Sequence, residues 1–279
     1  KTKILPYFEH KRLCDISAKD VIAWQNEIRK MTNSSGELLS QGYLKTIHNQ
    51  LSSLFNHAIK IYGLRLNPAS MVGNMGKEER KEMSYWTVEE YSKFSDEMMD
   101  KPISYYAFQM LYWTGIREGE LLALTPADFN FEKKTLRINK SYQRLEGKDV
   151  ITDPKTPKSN RTIVMPDFLA VEMEDFISSL YGIRDDDRIF TISKSYLHHE
   201  MDRGAKLAGV KRIRIHGLRH SHISLLINLG FSALAIGERV GHEAVDITYH
   251  YAHLFPTVQT DMAAQLEMER EALVNVRKE

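Results

Sequence analysis

The chain is expected to be mainly α with a small antiparallel β-sheet, an α+β fold in two domains. Three observations predict this. Apolar residues recur at a spacing of three and four through most of the chain, as one face of a helix requires. Between residues 129 and 165 the pattern shifts to alternating and β-branched residues. A stretch at residues 73–83, GNMGKEERKEM, has two glycines, a run of charges and no apolar period, so it reads as a linker.

The 279 residues suffice for two ordinary domains. A hydrophobic share of 42% and a charged share of 27% are those of a soluble globular protein. No run of about 18 apolar residues suggests a membrane span, and no secretory signal is visible. Cys14 is the only cysteine, which excludes an intrachain disulfide and suits a reducing cytoplasm. The chain opens at Lys1 inside a plausible folded segment, so the expectation is a fragment whose N-terminus has been removed.

The net charge of +1 hides an uneven distribution. Residues 1–82 carry 13 basic and 8 acidic side chains, residues 83–279 carry 25 and 29. From Lys133 to Arg161 there are 9 basic and 3 acidic residues, and from Arg203 to Arg219 there are 6 basic residues and no acid. The acids gather at Glu172–Asp187 and in the last 20 residues. Local basic stretches on a nearly neutral domain suit a polyanion bound on one face, although a solvated surface gives the same pattern.

In chain order, Ile4, Leu5, Tyr7 and Phe8 suggest an extended segment. Asp15 or Ser17 can cap a helix carrying Val21, Ile22, Trp24 and Ile28. Residues 31–42 are polar and read as a loop. A helix from about Tyr43 to Ile61 shows Ile47, Leu51, Leu54, Phe55, Ala58 and Ile59 on one face, and Gly63 stops it. Leu66-Asn67-Pro68-Ala69 begins a further turn or short helix. After the linker, Thr87-Val88-Glu89-Glu90 is a capping box. An aromatic helix follows from about Pro102 to Thr114, broken by Gly115, and Arg117 opens another that Pro126 closes. Three short antiparallel strands are expected around Thr135–Asn139, Val150–Thr152 and Thr162–Val164. The turn between the last two, Pro154 to Asn160, carries Lys155 forward. Helices resume at about Phe168–Leu180 and Lys194–Ala208, and an amphipathic tail runs from Thr257 to Val274.

The richest chemistry lies between Ile215 and Leu254. His216, Arg219 and His220 stand at i, i+3 and i+4, one face of a helix. That helix carries Ile223, Leu226, Ile227 and Leu229 and stops at Gly230. A second runs from about Ser232 to Val240, and His242 follows at the Gly241 break. Tyr251 comes nine residues later, a weak nucleophile unless activated. With Arg117 and Lys155 the set suits one reaction. Two guanidinium forks can clamp the oxygens of a phosphodiester and replace the charge of a metal. Tyr251 can then attack phosphorus, with Lys155 as acid for the leaving hydroxyl, His216 as acceptor of the tyrosine proton and His242 as a hydrogen-bonding partner of the phosphate.

TGIREGEL, the Lys155-Thr156 pair, HGLRH, VGH and the final Tyr-Ala-His-Leu resemble the catalytic signature of the tyrosine recombinases, or phage-type integrases. The resemblance covers nearly the whole chain. It implies a helical core-binding DNA domain at 1–76, a linker at 77–84 and a catalytic domain at 85–279 with a C-terminal helix. It implies the arginine pair in Arg117 and Arg219, the hairpin lysine in Lys155, the first histidine in His216, the histidine-or-tryptophan position in His242 and the nucleophile in Tyr251. Glu120 matches an acidic residue that orients the site, and His220 supports packing. The Gly241-His242 register and the following Ala252-His253 favour Tyr251 over Tyr249, and the Lys-Thr pair favours Lys155 over Lys158.

The resemblance further implies site-specific strand exchange through a 3′-phosphotyrosyl and a Holliday junction, integrating or excising a mobile element. It implies a homo-tetramer on two duplexes bearing attachment sites, no metal, no cofactor and no membrane, and it leaves open whether an accessory DNA-bending or excision factor takes part. The work would take place in the cytoplasm of a bacterial host, at the nucleoid. Three other readings compete: a metalloenzyme built on His198-His199-Glu200 and the His216/His220 pair, a non-catalytic DNA-binding protein of the same fold, and a type IB topoisomerase. The first lacks HExxH spacing and a completing ligand cluster.

Overall fold

The computed structural model describes residues 2–77, 84–154, 157–242, 251, 263, 266–268 and 270. They fall into two compact units, Lys1–Glu82 and Met83–Glu279.

The first unit is helical: α1 (Leu5–Phe8), α2 (Ala18–Lys30), α3 (Gln41–Tyr62) and α4 (Pro68–Val72). Ser17 caps α2 with its hydroxyl on the Asp20 N–H, while the Asp20 carboxylate accepts from the Ser17 N–H at 2.9 Å. The core gathers Phe8, Val21, Trp24, Ile28, Ile47, Leu51 and Phe55. The segment expected to be extended is the short helix α1. Pro6 sits in its first turn, where a missing N–H costs nothing. The helix turns Phe8 inward onto Trp24, with ring centroids 5.9 Å apart. Met75, within the glycine-rich stretch, is buried in the same core.

The second unit starts with α5 (Val88–Asp96), α6 (Pro102–Thr114) and the single turn α7 (Glu118–Leu121). The Thr87–Glu90 capping box forms as the sequence predicts. Strands β1 (Phe129–Asn130), β2 (Thr135–Ile138), β3 (Ser141–Leu145), β4 (Lys148–Thr152) and β5 (Arg161–Val164) come next. Then follow α8 (Asp167–Ser179), α9 (Lys194–Leu207), α10 (Ile215–Asn228) and α11 (Ala233–Val240).

The strand pairing differs from expectation. Among the described residues five strands form two antiparallel sheets, ordered β1-β2-β5 and β3-β4. Strand β3 escapes a reading by periodicity because Ser141-Tyr142-Gln143-Arg144 is polar apart from its tyrosine. Its hairpin to β4 is closed by Glu146 and Gly147, both at positive φ (50° and 80°), as a two-residue type I′ turn requires. Strands β4 and β5 therefore lie in different sheets and do not pair as the expected hairpin; Lys155, expected at its tip, lies outside the described residues.

Helix α10 is the centre of this unit. It is buried on most sides, with Leu218, Ile223 and Ile227 in the apolar interior, and it packs against α6, α9 and α11. Ser221 accepts the Trp86 backbone N–H at 2.8 Å, which ties the start of the unit to this helix. Gly115, the C-cap of α6, has φ +65°, and a Cβ there would lie 2.6 Å from the His222 ring of α10. Of the amphipathic tail, Ala263, Leu266, Glu267, Met268 and Arg270 are described, and they are helical and exposed; the rest lies outside the described residues.

Gly115→Ala has two costs, a left-handed backbone and the displaced imidazole. The expected destabilisation is about 2–4 kcal/mol by urea unfolding. Gly63→Ala, at φ +70° with nothing within 4 Å of the new methyl, loses only the backbone preference, about 1–2 kcal/mol. Equal losses at the two sites would contradict the close packing of α6 on α10.

Candidate active site

Arg117 stands at the N-cap of α7, just after the Gly115 turn. Three residues on, Glu120 points back to it. The carboxylate accepts the Arg117 N–H at 2.9 Å and Arg117 Nη1 at 2.8 Å. Arg117 also donates to Ser159 Oγ at 3.4 Å and to the Gly241 carbonyl at 3.2 Å. This one side chain therefore joins α7, the turn before β5 and the turn after α11.

Glu120 is 4% exposed and has a second partner, Arg161. Arg161 Nη1 and Nη2 donate to its two oxygens at 3.2 and 2.9 Å. Arg161 Nε donates to the Arg239 carbonyl at 2.9 Å, so β5 grips the end of α11. Burial alone would raise the Glu120 carboxyl. The Arg161 hydrogen bonds and charge, followed by those of Arg117, outweigh burial and hold it below the ordinary carboxylate range. Sequence reasoning missed Arg161. Nothing distinguishes it along the chain from the other basic residues between 133 and 161, since burial of its guanidinium comes from the fold.

Arg219 is 1% exposed on α10. Its two terminal nitrogens donate to the carbonyls of Gly115, the C-cap of α6, and Val240, the last residue of α11. Its Nε is buried without a hydrogen-bond partner. Burial, then the charge of Arg117, lower its pKa. His216 lies one turn earlier with an exposed outer face. Desolvation of its inner face and the charges of Arg219 and Arg117 lower its pKa. His242, half-buried at the Gly241 break, is pushed down to about 3 by burial and the same two arginines, so it is neutral at physiological pH. The described residues thus bring Arg117, Glu120, Arg161, His216, Arg219 and His242 to one place. Among these described residues several positive charges crowd one carboxylate, and an added anion relieves them.

Tyr251 is 2% exposed beside this cluster, against Ile223, Ile227, Ile236 and Val240. Burial raises its phenol well above the ordinary value, and the Arg219 charge opposes that only in part. Its hydroxyl is hydrogen-bonded to Nδ1 of His220. His216, expected to take the tyrosine proton, instead meets the His220 ring edge-to-face, with centroids 4.8 Å apart. Lys155 and Tyr249 lie outside the described residues; Lys158 is exposed. Glu200, from the motif that suggested a metal, is instead paired with Lys101 at 2.6 Å and Arg203 at 2.8 Å.

Residues 84–257 match the phage integrase family. Across 95% of its length the chain is 30% identical to the ICEBs1 integrase of Bacillus subtilis (strain 168), spanning 74% of that protein. It is 25% identical to a tyrosine recombinase XerC-like protein of Caldanaerobacter subterraneus subsp. tengcongensis, over 80% of this chain and 65% of that one. Its fold is shared with a Tn1549 transposon integrase solved in complex with a circular intermediate DNA, at a TM-score of 0.74 and 22% identity over 96% of this chain and 91% of that one. The chain belongs to the phage integrase family, the tyrosine recombinases. It is a DNA strand-transferring enzyme of the class that recombines mobile elements at specific sites.

Removing the Glu120 charge leaves Arg161 buried and unpaired. Glu120→Gln is expected to destabilise the fold by about 3–5 kcal/mol at pH 7. Because the folded-state pKa is depressed, this stabilisation is complete above the unfolded value of about 4.3 and disappears as the pH falls through the folded one. The gap between wild type and Glu120→Gln in urea unfolding should therefore narrow below about pH 4. A gap that stays constant down to acid unfolding would show that the carboxylate charge does not hold the two arginines.

Proposed function

We propose that the scissile phosphate of a double-stranded attachment site binds among Arg117, Arg219, His216 and His242, and that Tyr251 attacks it. The observation that carries this reading is the convergence of four basic side chains from three parts of the chain on one point, with a buried tyrosine hydroxyl held alongside. Arg117 and Arg219 neutralise the non-bridging oxygens and gain most as charge builds up at the pentavalent phosphorus. Neutral His242 hydrogen-bonds the same group. Glu120 and Arg161 fix Arg117 without touching DNA.

In the forward step the Tyr251 oxygen forms a bond to phosphorus and the P–O5′ bond breaks. Lys155 protonates the departing O5′, which leaves a 3′-phosphotyrosyl. The phosphodiester bond energy is retained in that ester, so a free 5′-hydroxyl reverses the step with no nucleotide. Two such exchanges between duplexes make and resolve a Holliday junction. Residues 1–76 bind the core of the site, 77–84 link the two domains and 85–279 perform the chemistry. Four copies act on two duplexes in the host cytoplasm. Family membership and the charge distribution support these assignments.

The test is a nicked duplex carrying the element's attachment core, mapped by sequencing its circle junction, incubated with the enzyme in EDTA. A denaturant-resistant adduct is expected, unchanged by the chelator. Arg219→Ala and Arg117→Ala should slow its formation about 10²–10³-fold. Strand exchange between two site-bearing duplexes supports the recombinase; relaxation of plasmids without regard to site, and no exchange, would place the enzyme with the topoisomerases. Binding should rest on phosphate contacts. If it uses about 6–10 of them, the affinity falls about 10³–10⁵-fold between 50 and 200 mM salt. A salt-independent affinity would contradict a backbone-bound duplex.

A further inference from the structure

We propose that His220 takes the proton from the Tyr251 hydroxyl, and that it does so only when a phosphodiester lies among the neighbouring arginines. The inference rests on the reading of Tyr251 as nucleophile and adds the base that serves it.

Among the described residues, His220 is the side chain hydrogen-bonded to that hydroxyl, through Nδ1. The two rings are 5.8 Å apart between centroids and tilted by 47°. To receive that hydroxyl's proton, Nδ1 must be the unprotonated nitrogen, which puts the hydrogen of a neutral imidazole on Nε2. His216 stands four residues earlier on the same helix, with its ring at 87° to that of His220, and it packs on the imidazole and not on the phenol. The histidine positioned to receive the proton is therefore the second one in the HGLRH motif.

The surroundings decide when it can act. An imidazolium at His220 would share its cluster with Arg219 and His216 of α10, Arg117 beside α7, Arg161 of β5 and His242 after α11. Among the described residues the carboxylate of this cluster, Glu120, is already taken by Arg117 and Arg161. Another positive charge is thus opposed until an anion arrives. A bound phosphodiester brings one negative charge, and a second develops in the transition state. The proton moves from Oη to Nδ1 as the oxygen bonds to phosphorus. The P–O5′ electron pair stays on O5′, which takes a proton from Lys155. Resealing reverses each transfer, so the His220 proton returns to Tyr251. The buried phenol is inert off DNA and becomes a nucleophile on it.

The experiment measures adduct formation on the nicked duplex with wild type, His220→Gln, Tyr251→3,5-difluorotyrosine and the double variant. His220→Gln should bind the duplex like wild type and cleave about 10²–10⁴-fold more slowly. The more acidic difluorophenol depends less on a base, so in that background the His220→Gln defect should shrink at least tenfold. An equal defect in both backgrounds, or none in either, would reduce His220 to packing and overturn the proposal. An adduct that persists in Tyr251→Phe would overturn instead the reading on which it rests.

Discussion

The Glu120 carboxylate, 4% exposed, lies between the guanidinium groups of Arg117 and Arg161, and most of the site's geometry follows from that placement. Burying a charge is costly unless it is paired and hydrogen-bonded, and this one is paired twice with hydrogen bonds to both oxygens. The pairing locks Arg117 at the mouth of α7. It also fixes Arg161, whose remaining donors reach the Ser159 and Arg239 carbonyls. Glu120 thereby joins α7 to β5, and the two arginines carry the link on to the end of α11.

Arg219 solves a related problem with backbone. Helix ends leave carbonyls without partners, and α6 and α11 both end where left-handed glycines, Gly115 and Gly241, turn the chain away. Arg219 donates to carbonyls at both corners. Gly241 also lets the Lys158 carbonyl and Arg161 come close, since a Cβ there would lie 3.0 and 3.2 Å from them. The glycines position the cations, and the cations position the glycine turns. The crowding of positive charge that results is tolerated by the fold and useful only to an anionic substrate.

Much of this is legible in the chain. Helices such as α6 and the Thr87 capping box follow from local spacing and capping chemistry. HGLRH places His216, Arg219 and His220 on one helical face by spacing alone. The turn glycines read correctly because positive φ is a local demand. The missing parts are non-local. Polar β3 gives no period to detect, and which strand pairs with which is set by the I′ turn and the packing of the unit. Arg161 resembles any surface arginine until β5 carries it onto Glu120. The contact between His220 and Tyr251 joins residues 31 apart, and no pattern of spacing says which of two histidines on a helix faces the phenol.

The central claim is that Tyr251 is the residue that becomes joined to DNA at the cationic cluster. Nuclease digestion of the trapped adduct, followed by protease cleavage and peptide mass spectrometry, reads this directly. A residual nucleotide is expected on Tyr251, with Tyr249 unmodified. A nucleotide on Tyr249, or on any residue away from His220 and the arginines, would contradict it.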